Sequence, residues 1–216
     1  MDPSLLQILW FLLFGVLITG YAVLDGFDLG VGVLSLLRRD PDERRLMINA
    51  IGPVWDGNEV WLVTGGGALF AAFPLVYATV FSSLYLAVVL LLLALIARAV
   101  SMEFRGKVAS TTWRDVWDWA FGLGSLLITL LFGVALGNIM QGIPLDAEGR
   151  FGGTFLGLLN PYAILVGLLA IVMFTCHGAL YMAQKCDGEL QSAMKTWASR
   201  AWVGWAALYV VAAVAT

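Results

Sequence analysis

Long apolar runs separated by short polar breaks dominate this chain. Five of them, Leu5–Leu37, Met47–Ala72, Val76–Ala97, Val116–Gly137 and Pro161–Ala183, are long enough to cross a bilayer as helices, and a sixth opens near Trp197. A bilayer core needs roughly 20 residues of helix. The first run exceeds that, at ~50 Å for ~1.5 Å per residue, so it must tilt, kink or extend past the lipid. None shows the short alternation of a barrel strand, and in lipid the backbone must be satisfied within helices or a closed barrel. The pattern predicts an all-α, polytopic transmembrane helical bundle, one domain over residues 1–216 with about six spans. The closing apolar stretch, Ala201 to Thr216, is short for a full span, which leads us to expect that the C-terminal part of a longer protein is missing. The chain opens MDPSLLQ, with no Lys or Arg before the first run, which reads as a retained helix rather than a secretory signal.

Charge in the breaks orients the bundle. Arg38, Arg39, Arg44 and Arg45 fill the first loop; Arg98, Arg105, Lys107 and Arg114 the third region; Lys185, Lys195 and Arg200 the fifth. The second loop, around Phe73–Pro74, has none, and the fourth, Asn138 to Asn160, has Arg150 alone. The positive-inside rule then predicts cytoplasmic odd-numbered loops and an N-terminus outside.

Against this background the polar residues inside the spans stand out. Asp25 and Asp28 lie in the first run, Asp56 and Glu59 in the second, and each pair, three apart, shares one helix face. An unpaired acid at mid-bilayer costs roughly 2.5–3.5 kcal/mol on insertion scales, so these must be protonated, hydrated or paired, facing the bundle interior. Counting helix rise from the cytoplasmic ends puts both pairs ~14–20 Å deep on adjacent antiparallel helices, with His177 at ~12 Å from Lys185. Glu103, Arg105 and Lys107 follow the third helix at the same face. The arrangement predicts a polar path opening toward the cytoplasm. It also fits acids that tie helices together through hydrogen bonds and ion pairs, with Arg98 as one partner, and the two readings can both hold.

Composition narrows the chemistry. The chain is 61% hydrophobic and 12% charged, half the charge of an ordinary soluble domain, with a mean hydropathy of +0.88. No basic stripe offers itself to nucleic acid. Cys176 and Cys186 make neither a disulfide framework nor a metal site. His177 is the single histidine, so two axial histidines for a haem are impossible here; a hydrogen-bonded core histidine is the plainer reading. Gly133…Gly137 and Gly153…Gly157 have the small-xxx-small spacing of close helix packing. Gly65-Gly66-Gly67 marks a weak point in the second helix and lacks the Lys-Ser/Thr of a phosphate loop. Trp113, Trp117 and Trp119 fit an interfacial belt, and Asp115 and Asp118 read as acids on a helix N-terminal turn.

Five segments carry a family resemblance: GYAVLDGFDLGVG (Gly20–Gly32), GPVWDGNEVWLVTGGGALFAAFP (Gly52–Pro74), Arg98 with Glu103-Phe-Arg-Gly-Lys107, GNIMQG (Gly137–Gly142) and NPYAILVGLL (Asn160–Leu169). Together they resemble subunit 2 of cytochrome bd-type quinol oxidases, over essentially the whole chain. The resemblance implies an eight-helix subunit of a terminal oxidase that takes electrons from membrane quinol and reduces dioxygen to water. It implies that haems b and d and the quinol-oxidising loop belong to the larger partner subunit 1 and none to this chain. It further implies membrane lipid and quinone contacts, candidate small single-helix subunits, a candidate structurally bound quinone, and a place in the bacterial inner membrane. Residues matching Asp56, Glu103 and Lys107 are associated in the family with a proton path across the subunit interface, Lys107 and Glu103 at the mouth and Asp56 within the membrane. Position 103 carries Glu where related sequences can carry Asp, both carboxylates of similar chemistry. Asp25, Asp28 and Glu59 become further proton sites or, with Arg98 and His177, supporting pairs. This chain alone is then not catalytic. The alternatives are a proton-coupled transporter, with the glycine triplet as a helix break, and a purely structural subunit.

Overall fold

The computed structural model describes residues 4–216 and is an all-α membrane bundle. Met1–Pro3, part of the segment read as lacking a basic leader, lie outside the described residues. Ser4 starts α1 (Leu5–Ser35) through a capping box with Gln7, which satisfies helix-end N–H groups that have no partner within the helix. The helix is ~46 Å long, more than a bilayer core needs. Its first half is largely exposed, and from Tyr21 onward it runs buried among its neighbours. The remaining helices are α2 (Pro41–Ile51), α3 (Trp55–Ala72), α4 (Pro74–Ser83), α5 (Tyr85–Phe104), α6 (Thr111–Gln141), α7 (Pro161–Lys185) and α8 (Gly188–Ala215). Five of them, α1, α5, α6, α7 and α8, are each long and apolar enough to cross a membrane.

Helix α1 sits at the centre, packed on α3, α6 and α7, while α8 lies on α7 and α5 on α6. Glycines set the closest approaches. A Cβ at Gly30 would stand 1.8 Å from the Phe174 carbonyl oxygen, and one at Gly178 would stand 2.5 Å from the Gly30 carbonyl carbon. The backbones of α1 and α7 therefore touch where they cross. Gly133 and Gly137 of α6 meet Gly167 and Ala163 of α7 in the same way, as their spacing predicts. Gly153 and Gly157 do not: they lie in the connection between α6 and α7, the latter in a 3₁₀ turn (Leu156–Leu158), so no helix packs on them.

The expected second span divides in two. Pro53 has no N–H to give the Asn49 carbonyl, and its ring clashes with the preceding turn, so α2 stops at Ile51 and α3 restarts at Trp55. Helix α2 is a short amphipathic element, with Asp40 as N-cap, Pro41 in its first turn and Met47, Ile48 and Ile51 buried. The glycine triplet, by contrast, is helical throughout: α3 runs unbroken through Gly65–Gly67 to Ala72, which removes the helix break that a transporter reading invoked. The third expected span is interrupted at Leu84, just after Ser82 turns its hydroxyl back to the Thr79 carbonyl at 3.1 Å, a bond that favours bending. Helix α8 begins at Gly188 rather than near Trp197, because Leu190, Met194, Ala198 and Ala201 extend its buried stripe toward the N-terminus.

At one end of the bundle Arg105, the C-cap of α5, pairs with Asp118 of α6, donates through Nη2 to the Pro41 carbonyl at 3.1 Å, and thereby meets α2. Arg44 of α2 reaches the same Asp118 carboxylate at 3.6 Å. Asp118 is buried at the eighth residue of α6, two turns in, so the reading of it as a helix-start acid is corrected: its charge is met by two arginines. At the opposite end, Asn138 donates to the Leu158 carbonyl at 2.7 Å and accepts from Asn160, whose side chain also caps α7.

Candidate functional site

Three helices bring the membrane-embedded polar residues together. Helix α1 supplies Tyr21, Asp25 and Asp28, α3 supplies Asn58 and Glu59, and α5 supplies Arg98. Arg98 is fully buried. It donates through Nη2 to Asp25 Oδ1 at 3.0 Å and through Nη1 to Glu59 Oε1, so one guanidinium joins α1 to α3 across α5. Asp25 and Asp28 have no exposed surface, while the Glu59 side chain keeps 21%. Asp28 Oδ2 accepts from Asn58 Nδ2 at 2.7 Å. Among the described residues, Tyr21 Oη, Asp25 Oδ2, Asp28 Oδ1 and Arg98 Nε have no hydrogen-bond partner. The planar fork of Arg suits this role, since it can hold two carboxylates at once where a Lys offers a single point charge.

The other predicted residues take no part in these hydrogen bonds and ion pairs. Asp56 opens α3, one turn before Glu59, and is exposed. Glu103, one residue before the end of α5, and Lys107, just beyond it, are exposed too. Among the described residues none of the three side chains has an ion pair or hydrogen bond. Glu103 and Lys107 flank Arg105 at the arginine-rich end. The depth counted for Asp56 and Glu59 along an unbroken helix does not carry over, because Gly52–Val54 interrupts it. His177 is half-buried, its ring stacked on Phe27 at 5.7 Å between α7 and α1, away from the Arg98 pairs. His177 packs on the Phe27 ring and makes no hydrogen bond among the described residues, and no step is assigned to haem in this chain.

Sequence reasoning passed over three contributors. Asn58 stands between Asp56 and Glu59 in an apolar run, and its polarity alone marked it as a buried partner. Asp118 escaped because its arginines come from helices distant in sequence. Tyr181, whose hydroxyl donates to the Ala50 carbonyl at 2.8 Å, has nothing beside it in sequence that marks its partner.

Residues 6–216 match the family model of cytochrome bd terminal oxidase subunit II. The chain belongs to that family. Cytochrome bd-I ubiquinol oxidase subunit 2 of Escherichia coli (strain K12) is 47% identical over 194 residues, covering 88% of this chain and 51% of the relative. Cytochrome bd ubiquinol oxidase subunit 2 of Bacillus subtilis (strain 168) is 42% identical over 193 residues, 89% of this chain and 57% of the relative. The chain thus spans about half the length of these curated relatives. Its fold is that of a bd oxidase from Geobacillus thermodenitrificans, with a TM-score of 0.82 over 98% of this chain and 65% of that one, at 18% identity. The resemblance carried by the Asp-, Trp- and Gly-rich motifs and this family assignment agree.

Proposed function

We propose that this chain acts as the haem-poor second subunit of a quinol:dioxygen oxidoreductase, docked against a larger haem-bearing subunit and carrying protons toward the site where dioxygen becomes water. The observation that supports this most is the 47% identity, over 88% of the chain, to a protein named as subunit 2 of a ubiquinol oxidase. Quinol oxidation and dioxygen reduction then take place on the partner, together with haems b and d. A bound quinone and small single-helix subunits complete the proposed assembly. The N-terminus faces the periplasm and the arginine-rich end the cytoplasm, by the loop charges already described.

In this reading two sets of polar residues divide the labour. Lys107 and Glu103 take up protons at the arginine-rich end and pass them to Asp56, all three exposed on this chain and available to a partner surface. Asp25, Asp28, Glu59 and Arg98 lie deeper, where Arg98 keeps Asp25 and Glu59 paired and Asn58 holds Asp28. The carboxylates here can receive and release protons, while the guanidinium keeps them from standing as bare charges in lipid. His177 supports the α1–α7 contact.

A purified complex, containing the full-length chain with its native partners, tests the assignment through its reduced-minus-oxidised optical spectrum. Haem bands are expected from the complex and none from the isolated full-length chain. Haem bands in the isolated chain, or in neither preparation, would overturn it.

A further inference from the structure

Helix α2 ends in a turn that leaves a carbonyl unserved. Gly52 N–H closes the last regular bond, to the Ile48 carbonyl at 3.0 Å. Val54 N–H, which would serve Ala50 in a continuous helix, bonds the Ile51 carbonyl instead at 2.9 Å. The Ala50 oxygen receives the Tyr181 hydroxyl at 2.8 Å, from a helix 131 positions away. A helix-end carbonyl withdrawn from water needs such a partner, and that of half-buried Ala50 comes from α7 rather than from the turn itself.

The tyrosine ring is also held. It stacks on Phe27 of α1 at 4.2 Å and 17°, and Lys185 lies over it at 5.5 Å from the ring centre. Tyr181 therefore joins α7, α1 and the α2–α3 break at one point. Asp56 follows that break within the first turn of α3. The other end of α2 is fastened by Arg105 to Pro41 and by Arg44 to Asp118, so α2 is a strut clamped at both ends. The strut links the end of α5, which carries Glu103 and Lys107, to the start of α3, which carries Asp56.

We propose that Tyr181 is a positioning residue that fixes the turn of residues 52–54 and through it the placement of Asp56; this rests on the reading of Asp56 as a proton-uptake group. The hydroxyl is the operative atom, because the ring alone retains the Phe27 stack.

Tyr181→Phe in the full oxidase complex separates the two contributions. Amide hydrogen exchange of residues 52–56 should speed roughly fivefold, the equivalent of one ordinary hydrogen bond. kcat should fall about threefold, with haem content and the KM for quinol unchanged, since a lost positioning bond acts on turnover and not on quinol binding. Tyr181→Ala, which loses the stack as well, should exchange faster still. Wild-type exchange in Tyr181→Phe would overturn the latch, and faster exchange at wild-type kcat would overturn its link to Asp56. Asp56→Asn run in parallel identifies the level of failure: if that variant turns over normally, the uptake reading itself falls and the inference with it.

Discussion

The acids around Arg98 and the exposed residues Asp56, Glu103 and Lys107 are all ionisable and are treated oppositely. Asp25 and Asp28 have no exposed surface, and each has one oxygen held by a named donor. Asp56 and Glu103 lie open on the same chain without side-chain partners among the described residues. A charge withdrawn from water must be paired or it destabilises the fold, so the first group can be read as architecture whatever else it does. A charge left open within reach of a partner surface costs the fold little and is free to serve exchange. The contrast teaches that two groups of ionisable residues which the sequence spacing leaves merged differ in side-chain pairing and exposure, and the proposed function gives them different places on the proton path.

The contrast can be broken most forcefully at Arg98. Arg98→Leu leaves Asp25 and Glu59 uncompensated and should cost about 3–5 kcal/mol, read as loss of assembled complex in detergent extracts. Replacing Asp25, Glu59 and Arg98 together with leucine sharpens the comparison. Apolar substitution of a whole buried ion cluster is often neutral or stabilising, so assembly should return if the cluster is architecture. Gly30→Val should follow in size, at about 1–3 kcal/mol or more, because the new side chain would enter the α7 backbone; thermal unfolding of the complex measures it. Asn58→Leu removes the donor to Asp28 and should cost about 1–3 kcal/mol by the same assay.

The smallest effect lies far from the membrane core, in the connection between α6 and α7. The backbone N–H of Arg150 donates to the Asp146 carboxylate and, with the Arg150 side chain and the Glu148 N–H, holds its pKa below the ordinary carboxylate value. A lowered folded-state pKa means that the stabilisation is fully present above the unfolded value and is lost as pH falls through the folded one. Amide protection at Glu148 and Arg150, the intrinsic exchange rate at each pH relative to the observed one, should therefore be steady down to about pH 4 and fall below it. In Asp146→Asn that acid-dependent step should be absent.

The apolar runs made the bundle legible because lipid imposes length and hydrophobicity on every span. The motifs made the family legible because Asp, Asn and Trp inside such runs are too costly to occur idly. Breaks were harder to read. Pro53 carried the signal that divides α2 from α3, yet the surrounding apolar residues masked it, and the glycine triplet, a more conspicuous breaker, is helical because its neighbours pack as one α3. The start of α8 was hidden because Lys195 and Arg200 look like loop residues, although Leu190 and Met194 already follow the helical stripe. Asp25, Asp28 and Glu59 announced themselves as buried acids. Arg98 was legible as an ion-pair partner and holds Asp25 and Glu59; that Asn58 holds Asp28 was not, since pairing across helices depends on packing that no local pattern encodes. Asp118 failed for the same reason.

The most direct test of the proposed division is turnover of the full complex carrying Asp56→Asn, compared with Asp56→Glu at matched haem content. Loss of a proton-transferring carboxylate typically costs ~10²–10⁴-fold; we expect Asp56→Asn to lose at least about tenfold in oxidase turnover with haem spectra intact, and Asp56→Glu to recover a substantial part of it. Wild-type turnover in Asp56→Asn at normal haem content would contradict the account, leaving the exposed residues without the role that sets them apart from the Arg98 cluster.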